Sequence, residues 1–277
     1  MKVFVAGGSG AMGRRLVPQL IAAGHDVVAM TRDNGKASRL QAIGAEPVIA
    51  DALDRVAVHR AVMHAAPDVL IHQLTGLTGV TSFKNFDKEF ALTNQLRTEG
   101  TDNLLQAAVA AGVRRVVAQS YGNWNYARTG RALKIEEDAL DPTPPANQVQ
   151  SLAAIRHLEH AVLHTAGIEG IALRYGNFYG PGTGLAIGGT IVEQVRKRQF
   201  PIVGDGAGVW SFVHMDDAAS AAILAMDRGD TGVYNIVDNE PAPVSAWLPE
   251  LAAAVGAKAP RHVPTWVGRL VAGEVGV

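Results

Sequence analysis

Short apolar runs alternate with amphipathic stretches along the first 120 or so residues. "KVFVAGG" predicts a strand, 11–23 a helix, "DVVAM" a strand, 36–43 a helix and "EPVIA" a strand. The alternation continues with a helix over 54–65, a strand at "DVLIHQL", a long helical stretch within 87–111 and a strand at "RRVVAQS". These strands are apolar throughout rather than at every second position, so both of their faces must be covered. The pattern predicts an α/β fold, a Rossmann-type doubly wound parallel sheet that binds its ligand beyond the carboxyl ends of the strands.

After about residue 121 the pattern loosens. "DPTPPANQ" reads as a proline-rich loop, and 152–165 as a helix with Leu152, Ile155, Leu158 and Val162 on one side. "GIALRYGNFYGPGTG" is a strand running into a glycine–proline loop, and from about 181 the alternation is less regular. The expected division is a nucleotide-binding domain over 1–175, including helix 152–165, and a smaller C-terminal substrate lobe over 176–277, interleaved with the first domain.

Composition narrows the function classes. The chain has 277 residues, 48% hydrophobic and 18% charged, enough for a sizeable core. A formal net charge of −1, with no run of Lys or Arg long enough to form a phosphate-tracking stripe, argues against nucleic acid as the main partner. The absence of cysteine removes disulfides and thiolate chemistry. "MKVFVAGG" is interrupted by glycine too early for a signal peptide, and no apolar stretch reaches the ~18–20 residues of a membrane span. The expectation is a cytoplasmic protein without a membrane partner. The ending "RLVAGEVGV" suggests that the natural chain continues.

The strongest local signal is Gly7, Gly10 and Gly13, a GxxGxxG between a predicted strand and a predicted helix. The first two glycines allow a tight turn and close approach to a pyrophosphate, and the third lets the helix pack on the strand. Ala11 and Met12 lie between the last two, where helix N-terminal N–H groups face the phosphates. The second strand ends "VVAMTRD": Thr31 occupies the place of an acidic residue that would bind the ribose of NAD, and Arg32 follows, suited to a 2′-phosphate. NADP is therefore favoured, with NAD the alternative because Asp33 is near. Asp51, with Ala52 beside it, ends the third strand and is placed to accept from an adenine amino group. Asp51 and Asp54 are equally suited to cap the helix that follows.

With these motifs in place, the chain resembles the extended short-chain dehydrogenase/reductase superfamily, of the NAD-dependent epimerase/dehydratase type. "AGGSGAMG", "VLIHQLTG", "TNQLRTEGTDNLLQAAVAAGVRRVVAQS", "LRYGNFYGPG", "FVHMDDAASAAILAM" and "GVYNIVDNEP" match its motifs in order. The resemblance implies that Leu74 and Thr75 line the cofactor and that Asn94 braces the site. It implies Tyr175 and Gly176 near the nicotinamide, with Asn177 and Phe178 facing a small-molecule substrate. It makes His214 structural, with Asp216 capping the next helix, and suggests a homodimer through the two long helices.

The same resemblance exposes a gap. The family's YxxxK helix supplies a tyrosine acid and a lysine that lowers the tyrosine pKa. Aligned on "HLE", with Glu159 four residues past the lysine position, this chain has Ser151 for the tyrosine and Ile155 for the lysine. Neither does that work. The fifth strand ends with Ser120 in the first of two hydroxyl positions and Tyr121 in the second. Tyr121, or Tyr126 in the loop beyond, is the candidate substitute acid; the plainer alternative is that Tyr121 fills released space. His157, His160 and His164 share a helical face, but a solvated face is the simpler reading and no metal is expected. Glu136, Glu137 and Asp138 read as a solvated turn. Two functions compete: an NADP-dependent oxidoreductase, reducing a carbonyl with a non-standard proton donor, and a catalytically silent cofactor-binding sensor or scaffold.

Overall fold

The computed structural model describes residues 1–77, 85–131 and 133–272, with the side chains of 270–272 left aside. The last five residues of "RLVAGEVGV" lie outside it. The first half alternates as expected: β1 (Lys2–Ala6), α1 (Gly13–Ala22), β2 (Asp26–Thr31), α2 (Asn34–Ala42), β3 (Glu46–Ile49), α3 (Arg55–Ala65) and β4 (Val69–His72). Two short helices follow, α4 (Phe86–Glu89) and α5 (Ala91–Gln95), then a π-helical turn over Leu96–Gly100, α6 (Thr101–Ala110) and β5 (Arg115–Tyr121). The stretch expected as one long helix is thus broken near Phe90 and widened at Leu96–Gly100. Beyond it come α7 (Val149–His164), β6 (Glu169–Tyr175) and β7 (Asn177–Tyr179).

Seven parallel strands form the central sheet. Its order is β3-β2-β1-β4-β5-β6 and a seventh strand, Gly232–Ile236, which returns from the C-terminal part to pair with β6. Chain order reverses between β1 and β4, and such a switch point opens a crevice at the carboxyl ends of the strands. Burial on both faces is complete where the sequence is apolar: Val3, Phe4, Val5, Val69, Leu70 and Ile71 are fully buried. One face packs against α1, the other against α3, α6 and α7.

The C-terminal part adds α8 (Thr190–Arg196), β8 (Ile202–Val203), β9 (Val209–Trp210), β10 (Phe212–His214), α9 (Met215–Leu224), the seventh sheet strand β11 (Gly232–Ile236), β12 (Ala242–Pro243), α10 (Val244–Ala254), β13 (His262–Val263) and α11 (Thr265–Ala272). A small core of Val195, Ile202, Leu248 and Ala252 holds α8, β8 and α10 together. Phe200, Trp210, Phe212 and Trp247 form an aromatic cluster beside it.

Capping chemistry decides several boundaries. Asp33 caps α2 and Asp54 caps α3, each by accepting from two backbone N–H groups. Between the two aspartates weighed for α3, Asp54 is the cap, and Asp51 accepts from Leu53 N–H. For α9 the expected cap is corrected: His214 holds the position, its Nδ1 accepting from Asp216 N–H at 3.3 Å, while Asp216 pairs with Arg15. The acidic turn is also corrected at one position, because the Glu136 carboxylate accepts from Asn235 N–H at 2.7 Å and braces β11.

Candidate active site

The glycine turn sits at the end of β1, beside the switch point. Gly7 has φ +92°, and a Cβ there would lie 2.9 Å from the Gln73 carbonyl oxygen. A Cβ on Gly13 would lie 2.3 Å from the Gly8 carbonyl oxygen, and one on Gly10 would lie 3.2 Å from that of Gly7. The turn therefore lets backbone stand against backbone on one side and leaves an uncovered floor on the other. Helical bonding begins where Arg14 N–H meets the Gly10 carbonyl, and no described residue accepts from the N–H of Ala11 or Met12. Unpaired N–H groups at the start of a helix are what a pyrophosphate requires, so the cradle fits the dinucleotide that its sequence predicts. The Met12 side chain is buried in the core, which leaves only its backbone for this role.

At the carboxyl end of β2, the Thr31 and Ser9 hydroxyls lie 2.8 Å apart. Asp33 turns its carboxylate into α2, accepting from Gly35 and Lys36 N–H at 2.8 and 3.1 Å. Arg32 stays exposed, 3.6 Å from the Asp51 carboxylate. Ala52 is buried behind Asp51, its carbonyl accepting from Asn103.

On the other side of the switch point, buried His72 orders the loop that carries Leu74 and Thr75. Its Nδ1 accepts from Leu74 N–H at 3.2 Å, and its Nε2 lies 3.1 Å from the Thr101 hydroxyl. Burial, helped by the Arg97 charge, brings its pKa down to about 4, so the ring is neutral at physiological pH. Next to it the Gln73 side-chain amide is buried without a hydrogen-bond partner among the described residues.

The positions of the missing pair are closed. Ser151 is fully buried; its hydroxyl donates to Asp87 Oδ1 at 2.7 Å and accepts from Asn94 Nδ2 at 3.1 Å. Asp87 also accepts from Gln150 and Ser151 N–H and so caps α7 from another helix. Asn94 thus braces Ser151, and its other amide atom, Oδ1, is buried without a partner among the described residues. Ile155 is fully buried in the core.

The hydroxyls at the end of β5 have different surroundings. Ser120 is buried and donates to Glu159 Oε1 at 2.7 Å. The Glu159 carboxylate also takes two bonds from Arg174, at 2.8 and 2.7 Å, in a buried bidentate pair. Arg174 Nη1 donates to the Tyr126 hydroxyl, which donates on to Asn235 Oδ1 at 2.6 Å. Tyr126 is therefore built into a buried network. Tyr121 is partly buried and donates to Asn177 Oδ1 at 3.0 Å, with Trp124 beside it. Burial pushes its pKa up to about 12, against the lowering effects of Asn123 and the Arg97 charge. The structure thus brings Tyr121 and Asn177 together. Tyr175 packs against Phe178 in the core with its hydroxyl on the Ala218 carbonyl, and burial pushes its pKa up. A Cβ on Gly176 would lie 2.8 Å from the Ser211 carbonyl, so the strand-to-loop turn needs glycine.

Sequence reasoning missed the roles of Asp87, His72, Arg97 and Arg174. Only Arg97 carried a usable signal: it shares a helical stripe with Thr93, Thr101 and Leu104, all buried, where a charged residue is out of place. His157, for its part, pairs with Asp102 of α6 at 2.8 Å.

Comparison with known proteins agrees with this fold. Residues 3–237 match the model of the NAD dependent epimerase/dehydratase family. A "3-diazoavenalumate denitrifying reductase" from Streptomyces sp is 42% identical, over 95% of this chain and 84% of its own length. A "2-alkyl-3-oxoalkanoate reductase" from Stenotrophomonas maltophilia is 30% identical, over 93% of this chain and 76% of its own. Among solved structures, the UDP-glucose 4-epimerase of Thermus thermophilus in complex with NAD superposes with a TM-score of 0.74 at 27% identity, over 95% of this chain and 86% of that one.

Proposed function

The chain belongs to the NAD dependent epimerase/dehydratase family and is an NAD(P)-dependent enzyme; from that premise we propose that it is an NADP-dependent reductase of a small-molecule carbonyl with Tyr121 as its proton donor. The observation that carries this reading is the contrast between an open cofactor cradle and closed YxxxK positions. The bound nicotinamide supplies the hydride. The protein's own groups do the rest. Gly7, Gly10, Ala11, Met12 and Gly13 hold the pyrophosphate, Leu74 and Thr75 line the ring end, and Tyr121 and Asn177 receive the acceptor oxygen. Retention of the C-terminal lobe and the named reactions of the relatives favour this enzyme over a silent sensor. The same reading includes a homodimer packed through α6 and α7, and a cytoplasmic location.

The preference for NADP rests on Arg32, exposed at the end of β2 and held only by a long contact to Asp51, and on Asp33, whose carboxylate is engaged in capping. Arg32→Ala is expected to weaken NADP binding at least tenfold and leave NAD binding within threefold, read by titration of each nucleotide. Equal losses for both would remove Arg32 as the phosphate ligand.

A second reading of the acceptor is favoured by one observation, the 42% identity to a reductase named for a diazo compound and for denitrification. Reducing a carbonyl takes a hydride at carbon and a proton at oxygen. Replacing a diazonium group by hydrogen takes a hydride alone and releases dinitrogen, so it suits a site without the YxxxK pair. Tyr121→Phe separates the two. With a ketone acceptor, NADPH consumption is expected to fall at least 100-fold, the range for loss of a general acid. Undiminished turnover of an aryl diazonium by the same variant, with no ketone turnover by the parent, would overturn the carbonyl reading in favour of the second.

A further inference from the structure

Three large rings near Tyr121 and Asn177 lie outside the hydrophobic cores. Trp124, in the loop after β5, and Trp210 and Phe212, of β9 and β10, pack into neither of the two cores that sandwich the sheet nor the small core of the C-terminal part. Each is partly exposed. Trp247, which does pack on the small core, supports Trp210 and Phe212 from behind, with ring centroids 5.0 and 5.6 Å away. Aromatic side chains bury more apolar area than almost any others and ordinarily sit in a core. Half-covered rings gathered about one spot therefore call for an occupant.

Strand register places two of these rings. β7 and β10 run parallel, with Asn177 beside Phe212 and Phe178 beside Val213. Phe178 and Val213 pack into the core shared with α1 and α9. Successive side chains of a strand point to opposite faces, so Asn177 and Phe212 share the other face. That face meets the site, because Asn177 Oδ1 accepts from the Tyr121 hydroxyl at 3.0 Å. Trp210 continues the surface, its ring centroid 6.0 Å from that of Phe212. Across the hydrogen bond, the Trp124 ring stands 6.2 Å from that of Tyr121 and is braced edge-on by Phe86 at 5.0 Å. Among the described residues no ring contact joins Trp124 to Phe212 or Trp210. The bonded pair thus has Trp124 on the Tyr121 side and Phe212 with Trp210 on the Asn177 side, and none of these side chains is charged at neutral pH.

We propose that these rings form the acceptor's binding surface and that the acceptor is an aryl compound, its planar ring set against Trp124, Phe212 and Trp210 and its reacting group at Tyr121 and Asn177. This rests on the placement of the acceptor at Tyr121 and Asn177 in the reading above. Aromatic walls with one or two polar groups among them hold a flat apolar body and orient its single polar end. A phosphorylated sugar finds no cation among these side chains. The aryl ring itself does not react. The carbonyl carbon attached to it takes the hydride of the bound cofactor, its oxygen takes the Tyr121 proton, and Tyr121 regains one from water; the product is an aryl carbinol.

The test is direct binding to the protein saturated with oxidised nicotinamide nucleotide, where no reduction takes place, read by ligand-observed NMR titration. The two ligands are acetophenone and cyclohexyl methyl ketone, which carries the same carbonyl on a saturated ring. The parent is expected to bind acetophenone at least tenfold more tightly. Phe212→Leu and Trp124→Leu keep apolar bulk and remove a ring. Each is expected to cut that preference to less than threefold while the affinity for NADPH and the melting temperature stay near the parent values, a split that a merely structural role would not give. Should one variant fail to fold, the other carries the comparison. Equal binding of the two ketones by the parent, binding of neither, or tighter binding of UDP-glucose than of either overturns the proposal, as does a tenfold preference kept by the folded variants. Because binding needs no turnover, it stands apart from the activity of Tyr121→Phe: full ketone reduction by that variant would sink the proton-donor reading, while equal binding of the two ketones sinks only the ring site.

Discussion

Glu159→Ala is expected to lower the unfolding free energy by about 3–5 kcal/mol and the melting temperature by roughly 10 °C. Glu159 is 6% exposed and Arg174 5%, so the change leaves a buried guanidinium without its counter-charge, held only by neutral oxygens among the described residues. The loss would not stay local. Arg174 links β6 to α7 through Glu159, to the loop after β5 through Tyr126 and the Glu136 carbonyl, and Tyr126 reaches β11 through Asn235. Ser120 loses its acceptor as well. Replacing both partners together, Glu159→Met with Arg174→Met, is expected to recover most of the loss, because the penalty comes from the orphaned charge rather than from a large favourable pair energy. Thermal melts of the single and double variants decide it. A single variant that melts within about 2 °C of the parent would mean that water reaches the charge and that the network does not hold the strands together.

Gly13→Ala is expected to weaken nicotinamide-nucleotide binding at least 100-fold, which corresponds to about 3 kcal/mol. The added Cβ would stand 2.3 Å from the Gly8 carbonyl oxygen and 2.5 Å from that of Gly7, and both are backbone atoms that cannot swing aside. Only separation of α1 from the turn relieves the overlap. That moves the Ala11 and Met12 N–H groups away from the phosphates they are placed to meet. Fluorescence titration with NADPH reads the loss, and Gly208→Ala, where a Cβ meets nothing within 4 Å, is the control. Binding within threefold of the parent would show that the phosphates do not sit on this helix start.

Much of this molecule was legible in one dimension because its signals are local. Gly7, Gly10 and Gly13 announce the cradle at their spacing, since each serves a backbone contact that no side chain permits. Asp33 and Asp54 stand where caps belong, and the unbroken apolar runs of β1 and β4 report burial on both faces. Arg174 looked like any other charged residue until β6 set it against Glu159, fifteen residues earlier in the chain.

The sequence by itself determined the doubly wound sheet, the cofactor end and the absence of a tyrosine–lysine pair, because short-range pattern and residue type carry all three. Only the tertiary structure decided what surrounds the hydroxyls near the positions of that pair. It closed Ser151 under Asp87 and Asn94, tied Tyr126 into the Arg174 network and left Tyr121 facing Asn177. The reason is physical: the acidity of a hydroxyl and the consequence of a buried charge depend on which groups, distant along the chain, folding brings within a few ångströms.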